Sequence, residues 1–220
     1  MMGRTHALTG VAMAVTVTYF YPVPVAIGIA GSVACAGASL FPDIDHKDSH
    51  ITRTFGPITK LLSWIMRTLS GGHRHGTHSL MGIAGIGALA QYGVQYRQDL
   101  PARIILCTLM ILAYSGAIRL LGIPGWFDDI IPIPIVIGIV CLTNIPLDFM
   151  PAALVAGCAI HVLGDMLTDS GCPLWWPFSL QRVKLAKLKA GGWTETHVIV
   201  PVLVVGVVAG ILIQGVDALM

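Results

Sequence analysis

Long apolar segments follow one another along almost the whole of this 220-residue chain. A transmembrane helix needs about 20 predominantly apolar residues, and seven segments approach that length. They are residues 7–21, 23–41, 79–95, 103–122, 130–147, 151–168 and 197–217. Only 11% of the residues are charged and the mean hydropathy is +0.79, whereas soluble domains carry charge at about a quarter of their positions. The chain is therefore predicted to be an all-α, polytopic membrane bundle forming one domain, in which the shorter segments could be re-entrant.

The basic side chains divide unequally between the two ends of these segments. If residues 42–78 lie in the cytoplasm, eleven of the thirteen Lys and Arg residues fall on the cytoplasmic side, and only Arg97 and Arg103 fall on the other. Cytoplasmic loops of membrane proteins carry the excess of positive charge. The distribution therefore predicts a cytoplasmic N-terminus, an external C-terminus, and cytoplasmic loops at residues 42–78 and 169–196.

The same topology brings a set of histidine and aspartate side chains to the cytoplasmic face. They are His6, Asp43, Asp45, His73, His75, His78, His161, Asp165 and Asp169. Because the topology rests on Lys and Arg alone, this convergence is an independent observation. Ionisable groups are costly to desolvate at a bilayer unless they bind something, and histidine with carboxylate but without thiolate suits zinc, manganese or non-haem iron. We expect a divalent metal centre there, with zinc favoured.

His161 and Asp165 form the most specific pair in this set. Their spacing of four residues on a predicted helix puts both side chains on one face, about one turn apart. The pair could bind one metal ion, or two neighbouring ions bridged by the carboxylate. His161 lies roughly 10 Å inside the end of its segment, where a polar group must face a cavity or a partner. The alternative is a histidine that only bonds across the helix bundle.

Asp43 and Asp45 follow the second apolar segment and flank a single residue. In an extended turn after Pro42, alternate side chains point the same way, so either carboxylate could reach the site. The alternative is a solvated acidic loop, which is disfavoured because an acid at a helix C-terminus opposes the helix dipole.

The glycine-rich loop before the third segment holds His73, His75 and His78 within six residues. Neutral imidazole is the commonest metal ligand, so these histidines are candidates for the site. Arg74, in the same loop, could hold an anionic group such as phosphate. The alternative is a basic juxtamembrane patch that binds anionic lipid head groups.

His6 and Glu195 are less specific candidates. His6 stands at the start of the first segment, where a single histidine is usually interfacial. It is a candidate ligand only because it lies on the same cytoplasmic face as the other candidates. Glu195 enters the last segment from the same side and could complete the site. An acid at a helix start is explained equally well by the helix dipole.

Taken in order, these motifs resemble the YdjM-like bacterial family, whose members are described as LexA-binding, inner-membrane-associated metal-dependent hydrolases. The resemblance runs from His6 to about Glu195. It is carried by His6, Pro42-Asp43-Ile44-Asp45, His75-Gly76-Thr77-His78-Ser79, His161-x3-Asp165-x2-Thr168 with Gly171, and Leu174-x2-Pro177-Phe178. The family usually has His-Arg-Gly-x-Thr-His where this chain has His-Arg-His-Gly-Thr-His, which leaves open whether His73 or His75 is a ligand.

The family is similar to zinc-dependent phospholipase C and the P1-type nucleases, so the resemblance implies a related helical scaffold with a zinc site. It implies Asp43 or Asp45 as the carboxylate that bridges metals or acts as base. The other implied ligands are His6, His75 or His78, His161, Asp165 and Glu195. The soluble relatives have further histidines after their His-x3-Asp pair, whereas only His197 follows here. One or two ions are therefore expected rather than three.

The leading interpretation is a metal-dependent hydrolase of phosphoester or lipid-like substrates, with its site at the cytoplasmic face of a bacterial inner membrane. Asp43 or Asp45 would act as base, and Arg74 or the basic segment 182–189 would hold the anionic substrate. The bilayer and its anionic phospholipids are the expected partners. LexA is implied by the family description alone, and no motif that reads nucleic acid is present.

Two other functional classes are open from the sequence. A metal or proton transporter would need polar residues through the outer half of the membrane, where Asn144 and Asp148 are nearly all that the sequence offers. A non-catalytic regulatory protein would use the polar face to bind a partner.

Overall fold

The computed structural model of the protein describes residues 1–54, 56–96, 99–120, 131–142 and 146–217; Arg97 and Asn144 lie outside them. Within these residues the chain is helical and has no β-strand, which confirms the predicted all-α class. The α-helices are α1 (Gly3–Phe20), α2 (Val25–Ala38), α3 (His50–Thr54), α4 (Pro57–Leu69), α5 (Leu80–Tyr96), α6 (Asp99–Leu120), α7 (Pro132–Leu142), α8 (Met150–Met166) and α9 (Val200–Asp217). Short 3₁₀ helices occupy Phe41–Asp45 and Gly76–His78, and a π-helical turn, Glu195–Ile199, leads into α9.

Proline residues set several of the helix boundaries. Pro22 and Pro24 lie between α1 and α2, and Pro57, Pro132 and Pro151 occupy the first turns of α4, α7 and α8. Proline suits the first turn because an N–H there would have no intrahelical partner, whereas it breaks a helix interior. The first two apolar segments therefore become two helices joined by a short turn.

Small residues allow α2 to pack between α1, α6 and α8. Ala34 and Ala38 are fully buried. Gly37 lies so close to α6 that a Cβ atom added there would be 1.9 Å from the carbonyl oxygen of Leu109, and one added at Gly157 of α8 would be 2.4 Å from Ala38. Small residues are the usual means of close helix contact in membrane proteins, and here they fix the end of α2 against α6 and α8.

One end of the bundle collects the start of α1, the end of α2, the start of α5 and the end of α8. The hydroxyl of Ser39, just after α2, donates to the carbonyl oxygen of His6 at 2.7 Å. The rings of His78 and His161 lie 5.0 Å apart between centroids. The site residues of four different segments therefore meet without any long loop reaching across the fold.

Two helices of the described residues are long and apolar enough to cross a membrane. They are Val25–Asp45, which includes α2 and the following 3₁₀ helix, and Glu195–Val216, which includes most of α9. The apolar helices Leu100–Ser115, Pro132–Leu142 and Met150–Met166 are shorter. Apolar side chains of α9 are exposed along its length, including Val205 and Leu212, as expected for a helix that faces lipid.

The predicted loop 42–78 contains two helices, α3 and α4, that the apolar pattern did not indicate. The predicted loop 169–196 is largely non-helical, and it is held to the end of α8 by backbone hydrogen bonds such as Val183 N–H to Cys172 O (2.8 Å) and Leu185 N–H to Met166 O (2.7 Å). Both segments lie at the end of the bundle where the site residues meet.

Candidate metal centre

Five of the predicted site residues come together in this structure. They are His6 of α1, Asp43 of the first 3₁₀ helix, His78 of the second, and His161 and Asp165 of α8. The described residues form two groups that could hold a metal ion, one of Asp43, His78 and His161 and the other of His6, His161 and Asp165. All of these side chains are buried except that of Asp43, which is 25% exposed.

The distances within the cluster suit an ion shared by Asp43, His78 and His161. The Nε2 atoms of His78 and His161 are 3.1 Å apart. Each lies 3.7–3.8 Å from Oδ1 of Asp43 and 3.7–3.8 Å from Oδ2 of Asp165. Tetrahedral zinc with bonds of about 2.0–2.1 Å separates its ligand atoms by ~3.3–3.4 Å. The ligand atoms of Asp43, His78 and His161 therefore match three positions of a tetrahedral site to within a few tenths of an ångström, whereas Asp165 belongs to the other candidate group.

The hydrogen bond of His161 to the backbone leaves one of its ring nitrogens free to bind a metal. Nδ1 of His161 lies 2.7 Å from the carbonyl oxygen of Ser39. Because a carbonyl oxygen only accepts, Nδ1 carries the proton and donates it. In a neutral imidazole the other nitrogen, Nε2, then has an unprotonated lone pair directed into the cluster.

His78 is held in the same tautomer by Thr77 and Asp45. The Thr77 hydroxyl donates to Oδ2 of Asp45, and the hydroxyl oxygen lies 2.9 Å from Nδ1 of His78. A hydroxyl has one proton, so its oxygen must accept from Nδ1–H of His78. In the neutral ring the lone pair of His78 is therefore also on Nε2, and it faces the cluster.

Two unprotonated Nε2 atoms thus face each other beside two carboxylates. Without a proton or a metal ion between them, the lone pairs of His78 and His161 would repel at 3.1 Å, and the charge of Asp43 would add to the repulsion. Metal-bound histidines regularly donate their other N–H to a carbonyl or carboxylate, which orients the ring. Both rings have this arrangement, so the residues present fit a divalent metal ion.

His6 extends the cluster on the far side of His161. Its ring stacks on that of His161 with centroids 3.8 Å apart. Among the described residues neither nitrogen of His6 has an aligned hydrogen-bond partner, and the nearest acceptor is Oδ1 of Asp165, 3.3 Å from Nε2. A buried imidazole without partners is unfavourable. Oδ1 of Asp165 faces His6 and also accepts from the N-terminal ammonium of Met1 at 2.6 Å, while Oδ2 faces His78.

Asp45 lies behind the cluster rather than in it. Its carboxylate accepts from Nδ1 of His73 (2.7 Å), from the backbone N–H of Arg74 (2.9 Å) and from Thr77. These donors occupy both oxygens of a fully buried side chain. Of the two carboxylates that the sequence left open, the structure therefore places Asp43 among the ligand atoms and Asp45 as the residue that positions the loop 73–78.

Arg74 points its side chain at the cluster from an unusual backbone conformation. Its φ angle is +59°, in the left-handed region that few residues other than glycine adopt. Nη2 of the guanidinium lies 2.8 Å from Oδ2 of Asp165. Within the described part of the chain, Nε and Nη1 are buried and have no hydrogen-bond partner. Two unused donors beside the candidate metal ligands are suited to an anionic group.

Two predicted ligands lie outside both groups of described residues. The ring of His75 packs beside Gly71 and Gly72, with Nδ1 about 3.5 Å from the Cβ position of either glycine. Glu195 accepts hydrogen bonds from the backbone N–H of Met2 (2.8 Å) and of Gly191 (2.7 Å), so its carboxylate holds the start of α1. The structure thus brings His78, rather than His75, to the other ligands.

Other residues around the cluster were not foreseen as part of it. Ser39 contributes a backbone carbonyl, which leaves no signature in the sequence. Thr77 is within the His-Gly-Thr-His motif, and its place next to His78 was the signal that could have identified it. His46 packs edge-on against His73 with ring centroids 4.5 Å apart. Partial burial and the neighbouring His73 ring lower the pKa of His46, which keeps it neutral at pH 7.

Comparisons with known proteins agree with the membrane character of the chain. The family model described as "YdjM inner membrane protein" matches residues 1–217. The uncharacterized protein YvsG of Bacillus subtilis (strain 168) is 37% identical over 82 residues, which is 37% of this chain and 46% of YvsG. The match thus spans about half the length of that relative. No solved structure matches this chain, so a scaffold related to phospholipase C stays a prediction.

Proposed function

The chain belongs to the YdjM inner membrane protein family, and we propose that it is a metal-dependent hydrolase of phosphoesters. The observation that carries the proposal is the pair of Nε2 lone pairs of His78 and His161, 3.1 Å apart and flanked by Asp43 and Asp165. Nε and Nη1 of Arg74, the two unused donors, lie beside this pair. A metalloenzyme that recognises a phosphate needs ligands for a cation and hydrogen-bond donors for the anion. This buried cluster has both.

Different residues of the cluster would hold the metal and bind the substrate. Asp43, His78 and His161 would hold zinc or another divalent ion, with His6 and Asp165 available for a second. An ion bound there supplies Lewis-acid stabilisation of charge on a phosphoryl oxygen. Nε and Nη1 of Arg74 would donate to a second phosphoryl oxygen, and charge-assisted bonds of this kind are about twice as strong as neutral ones.

Asp43 is the residue best placed to remove a proton from water. Its side chain is the most exposed of the clustered acids and histidines, at 25%, whereas His6, His78, His161 and Asp165 are at most 1% exposed. A base must reach a water molecule that enters from solvent. One oxygen of Asp43 faces the two histidines, which leaves the other for this role.

We propose the cytoplasmic leaflet as the location of the site. The excess of Lys and Arg at this end of the helices supports a cytoplasmic N-terminus, and the two candidate spans support insertion in the bilayer. The remaining apolar helices would complete a multi-pass bundle with its C-terminus outside. In this arrangement the clustered residues would lie at one end of the bundle, towards the cytoplasmic surface of the membrane.

Metal content and hydrolysis test the proposal together. The protein purified in detergent is expected to carry a stoichiometric divalent metal, measured by inductively coupled plasma mass spectrometry. His78→Ala should lose the metal, while the control His75→Ala should keep it because His75 is outside both groups. Hydrolysis of a chromogenic phosphodiester should disappear with a chelator and return with zinc. A protein without metal after reconstitution, or metal retained equally in both variants, would contradict the proposed centre.

The two parts of the proposal can fail separately. Metal lost only from His78→Ala, without hydrolysis of any phosphoester, would leave a metal-binding membrane protein. That result would exclude the hydrolase and keep the centre.

A further inference from the structure

Helix α4 packs on the rest of the protein with a side that is mostly polar and includes Met66. Thr59 and Ser63 are buried, and the hydroxyl of Thr59 donates to the carbonyl oxygen of Thr52 at 2.8 Å. The exposed side chains are mostly apolar, with Trp64 65% and Leu69 72% exposed. The exposed apolar residues are Ile58, Leu61, Leu62, Trp64, Ile65 and Leu69. A helix on a water-facing surface has the opposite pattern.

The basic residues of α4 occupy a separate face. Lys60 and Arg67 are seven residues apart and therefore lie on one side of the helix. At about 100° per residue, that side is roughly 160° from the centre of the strip formed by the exposed leucines and isoleucines. The helix thus has one side on the protein, one apolar side and one basic side. Helices that lie in the plane of a membrane surface have such separate apolar and basic sides.

A second segment beside α4 has the same character. Trp176 packs against Gly76, in the loop that follows α4, with its ring 3.3 Å from the Cβ position of that glycine. Around it, the segment 175–193 exposes apolar side chains. They are Trp175, Phe178, Leu180, Leu185 and Trp193. Basic residues alternate with them, namely Arg182, Lys184, Lys187 and Lys189.

We propose that α4 and the segment 175–193 form a rim that rests in the head-group layer of an anionic bilayer. The strip that includes Leu61 and Ile65 would lie at the acyl boundary, and Lys60 and Arg67 would contact lipid phosphates. The bilayer is the occupant that fits because a candidate span, Val25–Asp45, ends shortly before α4 along the chain. The basic sides of both segments complement the negative charge of such a surface.

The rim also indicates the substrate class, and this step rests on the proposed function. Helix α4 ends at Leu69, and Gly71 and Gly72 lead from it directly to Arg74. A phosphate in the head-group layer beside α4 would therefore lie close to the unused donors of Arg74. The substrate class is a phosphoester carried by a membrane lipid.

Spin-label accessibility tests the rim without reference to catalysis. Nitroxides are placed at Leu61→Cys, Ile65→Cys and, as matched controls on the basic side, Lys60→Cys and Arg67→Cys. The full chain is studied in nanodiscs of phosphatidylcholine and phosphatidylglycerol, with the signal of the unsubstituted protein subtracted. Labels at 61 and 65 should be accessible to oxygen and shielded from a water-soluble nickel complex. Labels at 60 and 67 should be accessible to the nickel complex and less accessible to oxygen.

Two outcomes would overturn the rim. Nickel accessibility at all four positions would show that α4 stands in water. Immobile labels at 61 and 65, shielded from both reagents, would show that protein covers the apolar strip. Neither result depends on metal content or activity.

The substrate class is tested with the double variant Leu61→Glu/Ile65→Glu, which leaves the cluster intact. We expect hydrolysis of a phospholipid in vesicles to fall by at least about tenfold, because the charges oppose burial of the strip. Hydrolysis of a soluble phosphodiester and metal content should be unchanged. Equal rates on vesicles would overturn the lipid assignment. Hydrolysis of neither substrate by the unsubstituted protein would overturn the proposed function, and the spin labels would still decide the rim.

Discussion

Thr77→Val tests whether the hydrogen bonds behind His78 prepare it to bind metal. The substitution keeps the shape of the side chain and removes the hydroxyl that donates to Asp45 and accepts from Nδ1 of His78 at 2.9 Å. Without it, Nδ1 of His78 retains only Oδ2 of Asp45 at 3.5 Å, which is longer than a good hydrogen bond. The ring is then free to rotate, or to carry its proton on Nε2, where it cannot bind metal.

The size of the effect follows from this arrangement. Loss of a hydrogen-bonding partner behind a metal ligand typically lowers metal affinity by about 10–100-fold, which corresponds to ~1.4–2.7 kcal/mol. We expect the lower part of that range, since Asp45 can move to take over the bond to Nδ1. The measurement is zinc competition with a chromophoric chelator at pH 7.5, on protein freed of metal and held in detergent.

Thr52→Val is the matched control. Thr52 and Thr77 are both 2% exposed, and the hydroxyl of Thr52 donates to the backbone carbonyl of His46 rather than to a side chain of the cluster. Its zinc affinity should stay within about threefold of the unsubstituted protein. If Thr77→Val bound zinc as tightly as Thr52→Val, the tautomer argument for His78 would be refuted.

Three further predictions concern the anion site, the bundle and a buried thiol. Arg74→Lys keeps the charge but loses the planar donor pair, so kcat/KM for phosphoesters should fall about 10–100-fold at unchanged metal content; an unchanged rate would refute its role. Gly37→Ala sets a Cβ atom against the carbonyl of Leu109, and a cost of about 1–3 kcal/mol should lower the unfolding temperature by several degrees, while Gly138→Ala, which has open space, should not. Burial raises the pKa of Cys172 to about 12, so a water-soluble maleimide at pH 8 should label it only after denaturation, and mass spectrometry finding the label in native protein would contradict this.

Local patterns in the sequence determined the class of the protein and part of its site. Uninterrupted apolar segments identified a helical membrane protein, because a helix satisfies its backbone polar groups within the segment. The spacing of His161 and Asp165 placed both on one helix face, since helical periodicity is a local property. The distribution of Lys and Arg suggested that His6, Asp43 and His78 would meet at the same end.

The choice between neighbouring candidates depended on the tertiary structure. Asp43 and Asp45 are two residues apart. Only the tertiary structure shows that both carboxylate oxygens of Asp45 already accept hydrogen bonds from the loop 73–78. The carbonyl of Ser39, which fixes the tautomer of His161, is a backbone atom that no residue type reveals. These contacts join elements far apart in the chain, so they follow from how the helices pack. The sequence alone identified the candidate ligands, but only the packed bundle could show which of their lone pairs face one another.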